Sequence, residues 1–120
     1  MTEFAIVLPI FCLLLLGIAQ LGIAFNNYLA LTDAVRAGAR FGATEGLCQT
    51  CNKTQDTIDK VKQSGANLDW SRSGAGVTVT TTWQPSTDLT VCGSYPYDID
   101  LIGIVVASGN LNSCTTERVE

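Results

Sequence analysis

The chain is expected to adopt an α+β fold. A long N-terminal apolar helix carries a small, disulfide-stapled antiparallel β module on its distal half. Three observations predict this. Residues 4–25 are apolar apart from Gln20 and the glycines, and they hold no charge. Helix-forming residues then continue without a proline as far as Thr44. Beyond them, four of the five cysteines and a β-branched alternation crowd into residues 46–120.

The first of these sets the scale. An uncharged run of this length crosses a hydrocarbon core of about 30 Å at about 1.5 Å per helical residue. It continues into residues 26–44, where Phe25, Tyr28, Leu31 and Val35 recur at helical spacing. One helix is therefore predicted over residues 2–44, with Gly46 as its stop signal. A rod of roughly 60 Å is about twice the length an anchor needs, so its second half must support something. Pro9 removes one helical hydrogen bond and marks a place for a bend, as Gly17 and Gly22 do more weakly.

After the stem, residues 47–52 read as a loop tied by Cys48 and Cys51. Residues 52–64 read as a short helix with Asn52 as cap, acids early, lysines late, and Ile58 and Val61 on the buried face. Residues 65–76 form a turn-rich connector. Residues 77–83 alternate with period two and are the surest strand, ended by Pro85. Residues 89–97 read as a second strand, with Pro96 implying an edge or a strand end. Residues 101–107 are apolar without a clear period, open between a short strand and a helical turn, and residues 110–119 read as the last strand. The division is thus a helix over 1–45 and a globular module over 46–120.

Composition narrows the function. With seven Lys and Arg against eleven Asp and Glu, the net charge of −4 offers no basic surface for nucleic acid. Histidine is absent, which removes the commonest general base and metal ligand. No catalysis, cofactor or metal is expected. Four cysteines in a small distal module point to an oxidising compartment and two disulfides. A zinc site competes, but there is a single CxxC, and Cys92 and Cys114 are too far apart to form a second knuckle. Four cysteines allow three pairings; Cys48–Cys51 with Cys92–Cys114 is the preferred one, and each loop cysteine reaching a different strand is the alternative. A membrane-tethered thiol oxidoreductase using Cys48 and Cys51 is disfavoured, because a helix end rather than a strand precedes the motif.

Other features have plain readings. Asp98 and Asp100 are too few for calcium and read as a solvated turn. Asn52-Lys53-Thr54 matches a glycosylation acceptor, a pattern frequent by chance. The small residues Ala30, Ala34, Gly38 and Gly42 form a flat ridge at spacing four. That ridge receives either neighbouring stems or the chain's own sheet, whose Trp83, Tyr95 and Tyr97 need a place to lie. Glu3 at the rim of the apolar run is costly in lipid unless paired; a neighbouring subunit's α-amino group would pair it, and a solvated acid at the membrane edge is the bland account. The first basic residues, Arg36 and Arg40, lie beyond the stem, where the positive-inside rule would hold them in the cytoplasm while the cysteines call for the outside. A basic leader removed ahead of Met1 resolves that conflict.

Glu3-Phe4-Ala5-Ile6-Val7-Leu8-Pro9, the Leu-rich run, Gln20, Asn27-Tyr28 and Ala37-Gly38-Ala39-Arg40 together resemble the TadE-like pilins of the tight-adherence (Tad) branch of type IV filament systems. The closing Glu117-Arg118-Val119-Glu120 is similar to the ends of such proteins. The resemblance is dense over about forty N-terminal residues and extends to the distal half only in layout. It implies a type IV pilin-like fold and a subunit that waits in the cytoplasmic membrane and polymerises into an extracellular adhesive pilus. It also implies a prepilin peptidase that trims the leader, an assembly ATPase and an inner-membrane platform. In the family the acid is generally the fifth mature residue, whereas here it is the third, so the mature terminus is not fixed. The assembly residues expected on this reading are Glu3, Pro9, Ala30, Ala34, Gly38 and Gly42. A bitopic membrane protein that never polymerises, acting as a minor pseudopilin or assembly factor, is the rival expectation.

Overall fold

A computed structural model describes residues 2–45, 48 and 50–120. The order of elements is α1 (Thr2–Glu45), α2 (Lys53–Ser64), β1 (Gly76–Thr80), β2 (Asp88–Leu101) and β3 (Ile104–Arg118). The molecule is a rod with principal extents of 74 × 21 × 18 Å. Its length is set by α1, because 44 residues at about 1.5 Å each span about 66 Å. Pro9 lies inside α1 without ending it. Gly46, read as the stop signal, and Leu47, read as the start of the tied loop, lie outside the described residues.

The three strands form one antiparallel sheet in the order β1-β2-β3, which packs with α2 on the distal half of α1. The core joins Leu31, Ala34, Val35, Ala39 and Ala43 of α1 to Val61 of α2, Leu68 of the connector, and Leu89, Val91 and Tyr95 of β2. Leu89, Val91, Gly93 and Tyr95 alternate inward along β2, as period-two geometry requires. Gly93 lets that strand touch the helix: a Cβ there would sit 2.8 Å from Val35 Cγ2 and 2.9 Å from Leu31 Cδ1. The chain end closes the module. Val119 is buried and exchanges backbone hydrogen bonds with Ser86 and Thr87, while the Glu120 N–H donates to the Ala43 carbonyl at 3.1 Å.

Four expectations are revised and one left open is resolved. The first strand spans only Gly76–Thr80 rather than residues 77–83, because Trp83 takes a positive φ of 54° and turns out to donate its Nε1 to Thr54 Oγ1. The second strand runs through Pro96 to Leu101. β1 pairs with β2 only from Thr90 to Ser94, so beyond that point β2 has β3 alone as a neighbour and the missing proline N–H costs no ladder bond on the open side. Residues 101–107, left open between strand and helical turn, form a two-residue reversal at Ile102-Gly103 followed by the start of β3. Asn52 precedes α2 but makes no side-chain capping hydrogen bond. Thr57, rather than Ile58, shares the fully buried face with Val61, and its hydroxyl is satisfied by donating to the Lys53 carbonyl at 2.7 Å.

Candidate functional site

The candidate site is the surface of α1 that the module leaves bare. Every large apolar side chain from Phe4 to Phe25 is exposed, from 42% at Leu13 to 79% at Phe4. α1 is long and apolar enough to cross a membrane, and none of its most apolar window is buried by the rest of the chain. Such a surface is far beyond the few hundred Å² of contiguous apolar patch that monomeric proteins usually show; it requires lipid or protein around it. Glu3 lies exposed in the first turn of the helix and Pro9 within the exposed run. Gly17 and Gly22 have open space where a Cβ would stand, so nothing within the subunit demands their smallness.

The small-residue ridge divides in two. Ala34, Gly38 and Gly42 are buried under the chain's own module, whereas Ala30 is half-buried. A Cβ on Gly38 would collide with Val61 Cγ2, and one on Gly42 would meet Leu89 Cδ2 at 2.7 Å and Thr57 Oγ1 at 2.9 Å. Within the subunit the ridge therefore seats α2 and Leu89. The expected occupants from the sheet lie elsewhere. Tyr95 packs edge-on against Trp70 with ring centres 6.4 Å apart. Tyr97 lies over Gly109 of β3, and Trp83 lies beside Thr54 and Lys53 of α2. No sequence signal distinguished α2 from the sheet as the covering element, since smallness at spacing four records close approach and not its source.

Both cysteine pairs are at bonding distance in the preferred pairing: Cys48–Cys51 at 2.03 Å and Cys92–Cys114 at 2.11 Å. Cys92 and Cys114 are directly opposite on β2 and β3, so the bond clamps the sheet on the face turned away from the helix. Glu45, Cys48 and Cys51 bring ligand atoms within 4.8 Å of one another; with the sulfurs bonded to each other they offer no thiolate for zinc. Cys12 is free and exposed on the stem.

The two acids considered for calcium have structural partners. Asp98 forms an ion pair with Arg72 at 2.8 Å, and Asp100 Oδ1 accepts from the Gly103 N–H at 2.8 Å, closing the β2–β3 turn. Arg72 also lies over the Tyr95 ring, with Cζ 5.9 Å from its centre. Beside it, hydrogen bonds from the Ser71 hydroxyl and then its backbone N–H hold the Asp69 carboxyl below the usual range; burial opposes them and Arg72 assists. These contacts pin the connector to β2 and describe a scaffold rather than a reaction centre.

No curated protein and no solved structure matches the chain. Residues 1–40, the stretch that holds the bare stem and most of the small-residue ridge, match the family model of TadE-like protein, a family associated with the Tad pilus.

Proposed function

We propose that this chain is a structural pilin: its stem resides in the cytoplasmic membrane before assembly and then packs against sister stems in the core of an extracellular Tad pilus. The observation that carries the reading is the exposed apolar surface of the stem, coincident with the family match. Lipid already shields the apolar surface, so a lipid-to-stem exchange gains no further hydrophobic burial and draws on close packing and interhelical contacts instead.

With Ala34, Gly38 and Gly42 occupied by the subunit's own α2 and β2, stem–stem contact falls on Glu3, Pro9 and the exposed residues up to Ala30. Glu3 pairs with the α-amino group of a neighbouring subunit and sets the axial register, because an unpaired carboxylate in a dry interior is strongly disfavoured. The module over residues 46–120 forms the outer surface that meets other cells or solid surfaces. The two disulfides suit that exposure to an oxidising exterior. The chain works without a catalytic residue or cofactor, and the prepilin peptidase, assembly ATPase and membrane platform are its assembly partners.

The test is mass spectrometry of sheared filaments from cells expressing wild type and Glu3→Ala. The expected result is the chain as a filament component in the wild type, and a loss of filament with membrane insertion retained in the variant. Absence from wild-type filaments would favour a non-polymerising pseudopilin.

A further inference from the structure

A second apolar element stands beside the stem. Past the end of β1, β2 and β3 continue as a two-stranded ribbon in which Tyr95 to Leu101 pair with Leu111 to Ile104. The ribbon runs down the helix, and Gln20 Nε2 donates to the Asp100 carbonyl at 2.8 Å, which fixes its tip at the level of mid-stem. That tip reads Leu101-Ile102-Gly103-Ile104-Val105-Val106-Ala107, and no charged residue follows Asp100 until Glu117. Ile102, Ile104, Val105 and Val106 are 76%, 70%, 57% and 62% exposed.

Two features say what covers it. Ile104 and Val105 face opposite sides of the ribbon, and the register shift at Ile99/Asp100 leaves Val106 unpaired beside them. Apolar side chains therefore stand on both faces of the tip; a docked protein would need only one apolar face, whereas lipid surrounds. The turn itself points the same way. Ile102 and Gly103 have φ of 56° and 82°, the conformation that two-residue hairpins usually fill with Asn-Gly or Asp-Gly. A β-branched residue is sterically disfavoured there, yet an isoleucine occupies the outermost point.

Height supplies the occupant. Gln20 stands about 27 Å along the helix from Thr2, close to the hydrocarbon thickness of about 30 Å. With the lower stem in the bilayer, the ribbon tip therefore meets the boundary of the same layer. We propose that residues 101–107 form a second membrane contact, seated at the headgroup–acyl boundary of the bilayer that holds the stem. The contact is shallow because the free backbone edges of the ribbon still need water. Asp100 stands opposite Val105, where its carboxylate accepts from the Gly103 N–H, and Asp98, further from the turn, is paired with Arg72. An acid at this level is a further reason for the contact to stay at the headgroup boundary.

The proposal rests on the membrane residence of the stem, and its test separates the two. The full chain in a Cys12→Ala background is reconstituted into phosphatidylcholine–phosphatidylglycerol vesicles with a nitroxide at Ile104→Cys, at Leu14→Cys or at Lys62→Cys. Collision rates with oxygen and with a water-soluble nickel chelate then report depth. The expected oxygen-to-nickel ratio at residue 104 is several-fold above that at residue 62 and below that at residue 14. A ratio at 104 equal to that at 62, with residue 14 deep, would overturn the lipid contact alone. An aqueous signal at residue 14 would overturn the membrane reading and the proposal with it. Spin–spin broadening at 104 with both collision rates suppressed would assign the tip to a second copy and refute lipid as its occupant.

Discussion

Gly38 and Ala5 occupy the same helix and have opposite tolerances. Gly38 has no room for a Cβ against Val61, while Ala5 is exposed. Gly38→Leu is expected to destabilise the module by about 1–3 kcal/mol or more, and Ala5→Leu to leave its unfolding midpoint unchanged, as read by thermal denaturation in detergent. Equal tolerance would contradict the seating of α2 on the ridge. Ile102 offers the reverse case. Replacing it by Asn, which accepts positive φ, should relieve about 1 kcal/mol of backbone strain and raise the detergent midpoint while weakening the lipid contact. Asp69 carries a sign that can be worked out from its hydrogen bonds to Ser71. Its folded pKa lies below the unfolded one, so its stabilisation is full above about pH 3.9 and is lost as pH falls through the lower folded value. Asp69→Asn should flatten the acid limb of a stability–pH profile, with a small amplitude because the group is solvated.

Among the elements, the disulfides differ in leverage. Cys92–Cys114 closes a separation of 22 residues and Cys48–Cys51 one of three. In the loop-entropy account the first contributes about 3 kcal/mol and the second about half of that. Cys92→Ser with Cys114→Ser should therefore lower the denaturant midpoint more than Cys48→Ser with Cys51→Ser; the reverse order would show that the short loop does more than chain constraint explains. α1 was readable from length, apolarity and the lack of an interior break after Pro9, and α2 from its polarity gradient. β1 was readable where Val77 and Val79 alternate with threonines, but not where Trp83 leaves the sheet, since a positive φ at tryptophan leaves no trace in composition. The lower half of β3 was obscure for a different reason. Ile104, Val105 and Val106 are apolar on both ribbon faces, so the period that identifies a half-buried strand is absent. Its turn also lacks the Asn-Gly signature that announces a hairpin. The covering of Gly38 and Gly42 was half readable: the need for close approach shows in the glycines, while the partners Val61 and Thr57 are chosen by tertiary packing.

The whole molecule is a rod with its lower half bare and its upper half dressed by a small module. One physical demand organises it: the apolar surface from Phe4 to Leu29 needs a low-dielectric surrounding at every stage of the protein's life. Under the proposed pilin role, lipid supplies it first and sister stems supply it in the fibre. On that same proposal Glu3, the acid at the foot of this surface, is expected to distinguish the two surroundings, because only the fibre would offer a partner amine. The most direct measurement is cryo-EM of native filaments at side-chain resolution. The account predicts stems of this chain bundled along the fibre axis, with the Glu3 carboxylate within ion-pair distance of a neighbour's N-terminal amine. Filaments built without this chain, while its stem stays in the membrane of the same cells, would contradict it.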